Sequence, residues 1–279
     1  MKSLDITNIN WDQMWRQIKI NPVPNDLPAI SDEERYDHMA PLFKEWMRYD
    51  DYPSKMLERI QVKQEWSVLD IGCGTGAIAI PTAMKVKSVT AIDISTHMLK
   101  ILKNDIEKNH IVNLKPKHLN WDNIRVGIDI HPHDVVIMSR SIGRMINLRE
   151  SLIKVDQAAS RYVYISAWSG KERQINRGIM EALGKEYHDI PDYLYVFNIL
   201  AQMGINPSVE HLKCSSKVVY PNITEALHTF QNLLHLDPTQ LDAAKVFLEE
   251  NLVKRDDGWL ENPDNKPVWS LIWWKKEDS

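Results

Sequence analysis

Val68-Leu-Asp-Ile-Gly-Cys-Gly-Thr-Gly76 is the stretch whose reading decides the fold. An apolar run with a β-branched lead carries one acid, Asp70, and is followed by Gly72, Gly74 and Gly76 at every second position. Such a run reads as a buried strand. Glycines directly after it let the backbone turn sharply and approach a ligand with no Cβ in the way. The A-I-A-I-P-T-A-M-K that follows is helical in composition, and Pro81 falls where a missing N–H costs little. The unit is strand, glycine loop, helix.

Outward from this unit the chain alternates. Strands are expected at 66–71, 88–93, 113–119, 134–139 and 161–167, with helices at 76–86, 96–109, 144–159 and a short one near 122–127. Alternation of this kind implies right-handed βαβ crossovers and a parallel sheet covered by helices on both faces. Helical segments follow at 171–184 and 191–203. The run V-E-H-L-K-C-S-S-K-V-V-Y reads as a sixth strand and V-W-S-L-I-W-W-K-K as a seventh. Two helical patterns, 222–235 and 238–253, interrupt that last pair, and an insertion this large in a compact domain usually serves function. Upstream, Trp11, Trp15 and Ile18 mark a short helix before the proline-rich N-P-V-P-N-D-L-P. Ser31 and Glu34 then have capping-box spacing for a helix that Pro41 is expected to kink or divide, and a further helix is expected near 53–61.

The fold expected is therefore α/β: a seven-stranded, mostly parallel, doubly wound sheet with its last strand antiparallel. Residues 1–62 form an N-terminal helical cap segment, 63–220 with 258–279 the Rossmann-like domain, and 221–257 a helical insertion acting as a lid. At 279 residues, 43% hydrophobic and 26% charged, the chain has the composition of a soluble globular protein. No run of about eighteen apolar residues occurs, and the N-terminus has no apolar leader, so a cytoplasmic setting without a membrane partner is expected. A net charge of -4 argues against bulk nucleic-acid binding. Cys73 and Cys214 alone form no disulfide framework or metal-ligand spacing, and His131-Pro-His133 lacks a third ligand. No metal is expected, and a homo-oligomer is compatible with the sequence.

Asp70 bears on the loop's ligand. A carboxylate beside the loop is a poor neighbour for a pyrophosphate and a good one for a cationic amine. Strand two ends A-I-D-I-S, which places Asp93 seventeen residues after Gly76, near the spacing at which an acid takes ribose hydroxyls. D-I-G-C-G-T-G and A-I-D-I-S resemble the first and second motifs of the class I S-adenosylmethionine-dependent methyltransferases, and the resemblance runs from about residue 66 to 168. It implies S-adenosylmethionine as cofactor, with Asp70 near the methionyl amine and Gly72, Cys73, Gly74 and Gly76 along the methionyl and ribose portions. It further implies Asp93 on the ribose hydroxyls and Ile94 beside the adenine. The third motif matches less cleanly: Asn120 stands for its usual acid, followed by Trp121, with Asp122 the alternative if the register slips. Strand four begins at Asp134, where the family often has an acid, and ends at Ser139 and Arg140 at the ligand-binding edge.

Methyl transfer from a sulfonium needs alignment and dryness more than a dedicated base. Strand four is followed by S-R-S-I rather than the Asp/Asn-Pro-Pro-aromatic tetrapeptide of amino-methylating nucleic-acid enzymes, which demotes exocyclic amines of bases. The expected acceptor is a small- or medium-sized molecule held under the helical cap. Trp11, Trp15, Tyr36, Trp46, His228, His235 and Trp259 are the material for its recognition. No catalytic residue is fixed; His38, as base or orienter, and Arg140, through its fork of donors, are the weak candidates. A non-catalytic assembly protein that keeps the cofactor pocket and grips a partner through the insertion is the alternative.

Overall fold

The computed structural model describes residues 8–20, 31–170, 174–187, 192–215, 218–263 and 266–276. Strands β1 (Ser67–Ile71), β2 (Ser88–Asp93), β3 (Leu114–His118), β4 (His133–Ser139) and β5 (Ala159–Trp168) pair in parallel; β6 is Ser208–Lys213. Two short strands, β7 (Val219–Tyr220) and β8 (Val253–Lys254), precede β9 (Leu260–Glu261) and the long β10 (Val268–Lys275). The main sheet has the order β3-β2-β1-β4-β5-β10-β6, and β10 alone runs antiparallel to both its neighbours. Strand order reverses beside β1, so a crevice opens at the carboxyl ends of β1 and β4, the place where open α/β sheets bind ligands.

Side chains of β1 and β4 alternate between two cores, as the pleat requires. Leu69, Ile71, Val136 and Met138 join the core beneath α1 (Trp11–Ile20), α6 (Leu148–Ala158) and α8 (Asp192–Gln202). Val68, Val135 and Ile137 join the opposite core beneath α3 (Tyr52–Leu57), α4 (Ala79–Ala83) and α5 (Thr96–Lys108). A third, separate core lies outside the sheet. It is built from Ile179 on α7 (Gln174–Ala182), Phe230 on α9 (Ile223–Leu234), Leu248 on α10 (Leu241–Asn251) and Tyr220 on β7.

The remaining helix, α2 (Asp32–Met47), ties these parts together. It starts with the capping box expected at Ser31 and Glu34, each side chain bonded to the other's backbone N–H. Near its start, the Asp37 carboxylate accepts from Ser95 Oγ at 2.5 Å and the His97 amide at 3.1 Å, so it also caps α5. At its end, Trp46 Nε1 donates to Val219 O at 2.7 Å, and its ring lies edge-on to Tyr220.

Several expectations are corrected. The single sixth strand is two: β6 pairs with β10, whereas β7 belongs to a three-stranded β7-β9-β8 sheet at the foot of the insertion. The helix after the glycine loop is confined to Ala79–Ala83, because the chain is still turning at Gly76 (φ 91°). The short helix near 122–127 is a single 3₁₀ turn at Trp121–Asn123. Pro41 sits inside an unbroken α2. Trp15 is wholly buried, donates to Met145 O at 2.6 Å and packs with Trp11 on Tyr195 of α8, so both belong to the sheet core rather than a substrate site. The proline-rich connector at 21–30 lies outside the described residues.

Candidate active site

The end of β1 is pinned before it turns. Gly72 N and Cys73 N both donate to Ile92 O, at 2.9 and 3.0 Å, which fastens the loop to β2. Ser141, just past β4, donates from Oγ to Ile71 O at 2.7 Å. A Cβ on Gly72, whose φ is 71°, would stand 2.4 Å from Ser141 Cβ, so glycine is what lets the two strand ends approach. Gly74 differs: with φ 53° it has only the Phe43 ring within 4 Å, at 3.6 Å, and borders open space. Gly76 faces packed side chains: its missing Cβ makes room for Leu102 of α5 and Ile80.

A cavity of about 380 Å³ opens over this loop, within the range of small-molecule sites. Asp70, Gly72, Cys73 and Gly74 form one side of it. Asp93, Ile94, Asn120 and Trp121 form another, Asp122 also reaches it, and Ser139 and Arg140 enter from β4. The structure thus brings together every residue singled out by sequence for the cofactor except Gly76. Helices α2 and α3 close it with Tyr36, Met39, Phe43 and Tyr52, which sequence reasoning did not assign there.

Its two buried acids, Asp70 and Asp93, are held in opposite ways. Asp93 is anchored, Oδ2 accepting from Gly74 N at 2.7 Å and Oδ1 from Ser95 N at 2.8 Å. Burial pushes its carboxyl up, and these backbone donors oppose the push. Asp70 is 1% exposed, and neither carboxylate oxygen has a hydrogen-bond partner among the described residues. Burial, reinforced by the charge of Asp93, pushes its carboxyl up to about 7. An unsatisfied buried carboxylate is costly and points to something missing beside it. Burial raises the Cys73 thiol well above its ordinary range, so Cys73 is a loop filler and not a nucleophile. Asn120 caps the 3₁₀ turn, its Oδ1 accepting from Asp122 N at 3.0 Å and keeping one lone pair.

Beside this cavity lies a larger chamber of about 1040 Å³. The two share Met39, Phe43, Arg140, Arg144 and Trp269, so these residues frame the passage between them. The chamber extends outward under the third core, past Trp46, Tyr220, Phe230 and Leu233, and His228 also lines it. His235, by contrast, ends α9 in a left-handed conformation, and neither it nor Trp259 borders the chamber. His38 lies on α2, and its side chain is outside the described ones.

Arg140 is the most constrained residue of the passage. It takes a left-handed backbone (φ 54°), its N–H donating to Ser166 Oγ at 2.8 Å. Its Nη1 pairs with Asp50 at 2.6 Å, and its guanidinium lies 4.3 Å over the Tyr52 ring and 5.5 Å from that of Trp269. Tyr52 O–H in turn meets Ser139 Oγ at 2.8 Å and Ser166 Oγ at 2.6 Å, and burial drives its phenol to about 12, keeping it neutral. Asp134 and His133 stand at the opposite end of β4. Asp134 accepts from Ser67 and pairs with Arg161, His133 meets Thr90, and neither lines the cavity over the loop or the chamber.

Comparison with known proteins agrees with this geometry. Residues 68–155 match the family model described as a methyltransferase domain. An uncharacterised protein of Haemophilus influenzae is 26% identical over 97% of this chain and 98% of its own. Among solved structures, the YcgJ protein of Bacillus subtilis superposes with a TM-score of 0.53 at 10% identity, over 81% of this chain and 98% of that one. The phosphoethanolamine N-methyltransferase 2 of Haemonchus contortus, solved with phosphomonomethylethanolamine and S-adenosylhomocysteine, gives 0.56 at 15% identity over 90% of this chain and 61% of that one. Such distant likeness speaks to the fold alone, whereas the family match falls on the glycine loop, both acids and β4. Residues 68–155 thus match a methyltransferase domain set in a Rossmann-like α/β fold, and S-adenosylmethionine-dependent methyl transfer is the activity that this match supports.

Proposed function

We propose that the 380 Å³ cavity is the S-adenosylmethionine site and the adjoining chamber the site of a small- or medium-sized methyl acceptor. The observation that carries this reading is the orphaned carboxylate of Asp70 beside an open Gly74. An ammonium is the natural partner for a buried carboxylate with no other donor. Asp93, already oriented by two backbone N–H groups, keeps lone pairs for a ribose diol. Ile94 and Trp121 offer apolar surface to a base, and Asn120 its remaining lone pair to an exocyclic amine. Gly72, Cys73 and Gly74 give close backbone approach, and Ser139 lies at the floor of the same cavity.

When bound, the cofactor supplies a methyl group on a sulfonium, ready for in-line displacement. The residues of this chain then have two tasks, to align the acceptor and to keep water out. Helix α2 and the 221–257 insertion form the cap that serves the second task, since Met39 and Phe43 wall both cavities and Trp46 fastens α2 to the insertion's small sheet. A chamber of this size behind the passage supports an enzyme with an acceptor of its own over a protein that only grips a partner.

Calorimetry with S-adenosylhomocysteine tests the donor half. Asp93→Ala removes a charged acceptor and should weaken binding by about 1.5–3 kcal/mol. Unchanged affinity in that variant, or no binding by the parent protein, would sink the assignment.

A further inference from the structure

We infer that the methyl acceptor is an organic acid, an oxyanion carried on an extended apolar body, and that Arg140 is the residue that selects it. The inference rests on the acceptor-chamber reading above and adds the chemical class of its occupant.

The charged groups of the passage are the starting point. Between donor cavity and chamber the shared wall is Met39, Phe43, Trp269 and two guanidinium groups, Arg140 and Arg144. Arg144 stacks 4.6 Å over the Tyr36 ring and Arg140 over Tyr52, so both are held flat against aromatic faces. One acid of the chamber, Asp50, pairs with Arg140 at the passage. Asp37 is committed to Ser95 and His97, and Glu34 to the capping box. Asp50 is divided between Arg140 and the Tyr52 amide, while Glu225 is exposed in the first turn of α9. The part of an acceptor that reaches the passage therefore meets the guanidinium of Arg140, held in place by Asp50.

Arg140 also has donors to spare. A guanidinium carries five N–H groups in a fixed fork. Asp50 takes one from Nη1, and the Met47 thioether faces Nη2 at 3.3 Å. Nε–H and the second hydrogen of each terminal nitrogen have no acceptor among the described residues, in a side chain only 18% exposed. Asp50, itself 1% exposed, fixes the fork without consuming it. The left-handed backbone at Arg140 strengthens the point: a non-glycine residue held there stores strain, and such strain collects at functional sites. A planar oxyanion matches the open edge of that fork, whereas an ammonium would add a fourth positive charge beside two guanidinium groups and a sulfonium.

The body of the acceptor follows from the rest of the wall. Beyond the passage the chamber is lined by Trp46, Tyr220, Phe230, Leu233 and Ile175, which offer contact area and few hydrogen bonds. At roughly 30 Å³ for each water displaced, about 1040 Å³ exceeds what a small polar amine needs.

Three isosteric probes separate the possibilities: biphenyl-4-carboxylate, biphenyl-4-carboxamide and the ammonium of biphenyl-4-methylamine. Each is titrated into protein saturated with S-adenosylhomocysteine and followed by calorimetry and tryptophan fluorescence. The carboxylate should bind at least about tenfold tighter than the amide, and the ammonium most weakly. Arg140→Gln should bring the carboxylate down to the amide, each titration being made at an S-adenosylhomocysteine concentration that saturates that variant. Because that variant strands a buried Asp50, the double variant Asp50→Asn with Arg140→Gln carries the same expectation without an orphaned charge. Equal binding of all three probes, preference for the ammonium, or no probe binding overturns the inference. So does a loss of S-adenosylhomocysteine affinity in the variants with the probe preference intact, which would assign Arg140 to the donor's carboxylate. Failure of the parent protein to bind S-adenosylhomocysteine at all would instead remove the donor assignment beneath it.

Discussion

Replacing Asp70 with asparagine should make the empty protein more stable and the liganded protein less attainable. In the fold its carboxyl titrates at about 7 instead of 3.8, from burial first and the Asp93 charge second. A raised carboxyl means the folded state holds its proton longer than the unfolded chain. The contribution of Asp70 to stability is therefore most favourable below pH 4, falls as pH rises from about 4 to 7, and is level above. With each tenfold in proton affinity worth about 1.4 kcal/mol, the ionised group costs the fold up to about 4 kcal/mol at pH 8. Water entering the open cavity screens part of this, so Asp70→Asn should gain about 1–4 kcal/mol at pH 8 and close to nothing at pH 4. The same change removes the anion proposed to meet the methionyl ammonium, and S-adenosylhomocysteine should bind about 10- to 100-fold more weakly. Urea denaturation at the two pH values gives the first number and calorimetry the second. An equal effect on stability at both pH values, or parental affinity in the variant, would refute the account of Asp70 as a carboxylate waiting for a cation.

The same titration predicts linkage. Binding at pH 6 should release up to about 0.9 proton, and at pH 8.5 less than about 0.1, read from the dependence of calorimetric enthalpy on buffer ionisation heat. Gly74→Val fills the open side of the loop at φ 53° and should abolish S-adenosylhomocysteine binding, with a stability cost near 1–3 kcal/mol from backbone strain. Gly178→Ala tests the cap. A Cβ there would stand 2.2 Å from the Phe247 ring, so the gain in helix propensity should be outweighed by a loss of about 1–3 kcal/mol, seen as earlier proteolysis within 221–257.

Both motifs of the proposed donor site were legible because each is local in sequence. Leu69-Asp70-Ile71 followed by alternating glycines declares a strand ending in a tight turn, and Asp93 sits at the end of the next strand by simple alternation. Their environment was not legible. Nothing in the sequence shows that Asp70 would be left without a partner while Asp93 is held by two backbone donors. Arg140 was visible as a cation at the edge of β4, but its ion pair with Asp50 spans 90 residues, and Trp269 reaches it from the last strand. The sixth strand was misread for a related reason. Leu212 and Val219 both look like strand residues, and only the pairing of one with β10 and the other with β9 separates them. Trp15 was assigned to recognition by composition, and packing against Tyr195 reassigns it to the core.

One feature of the fold bears on how ligands come and go. Helix α2 is fastened at one end to the start of α5 through Asp37 and at the other to β7 through Trp46. Between these points Met39 and Phe43 wall both cavities. The proposed donor and acceptor sites therefore have one wall in common, and any displacement of α2 would reach both. With donor and acceptor in the cavities proposed for them, this arrangement predicts a defined order of entry and exit. Product-inhibition patterns, rather than any single structure, would record that order.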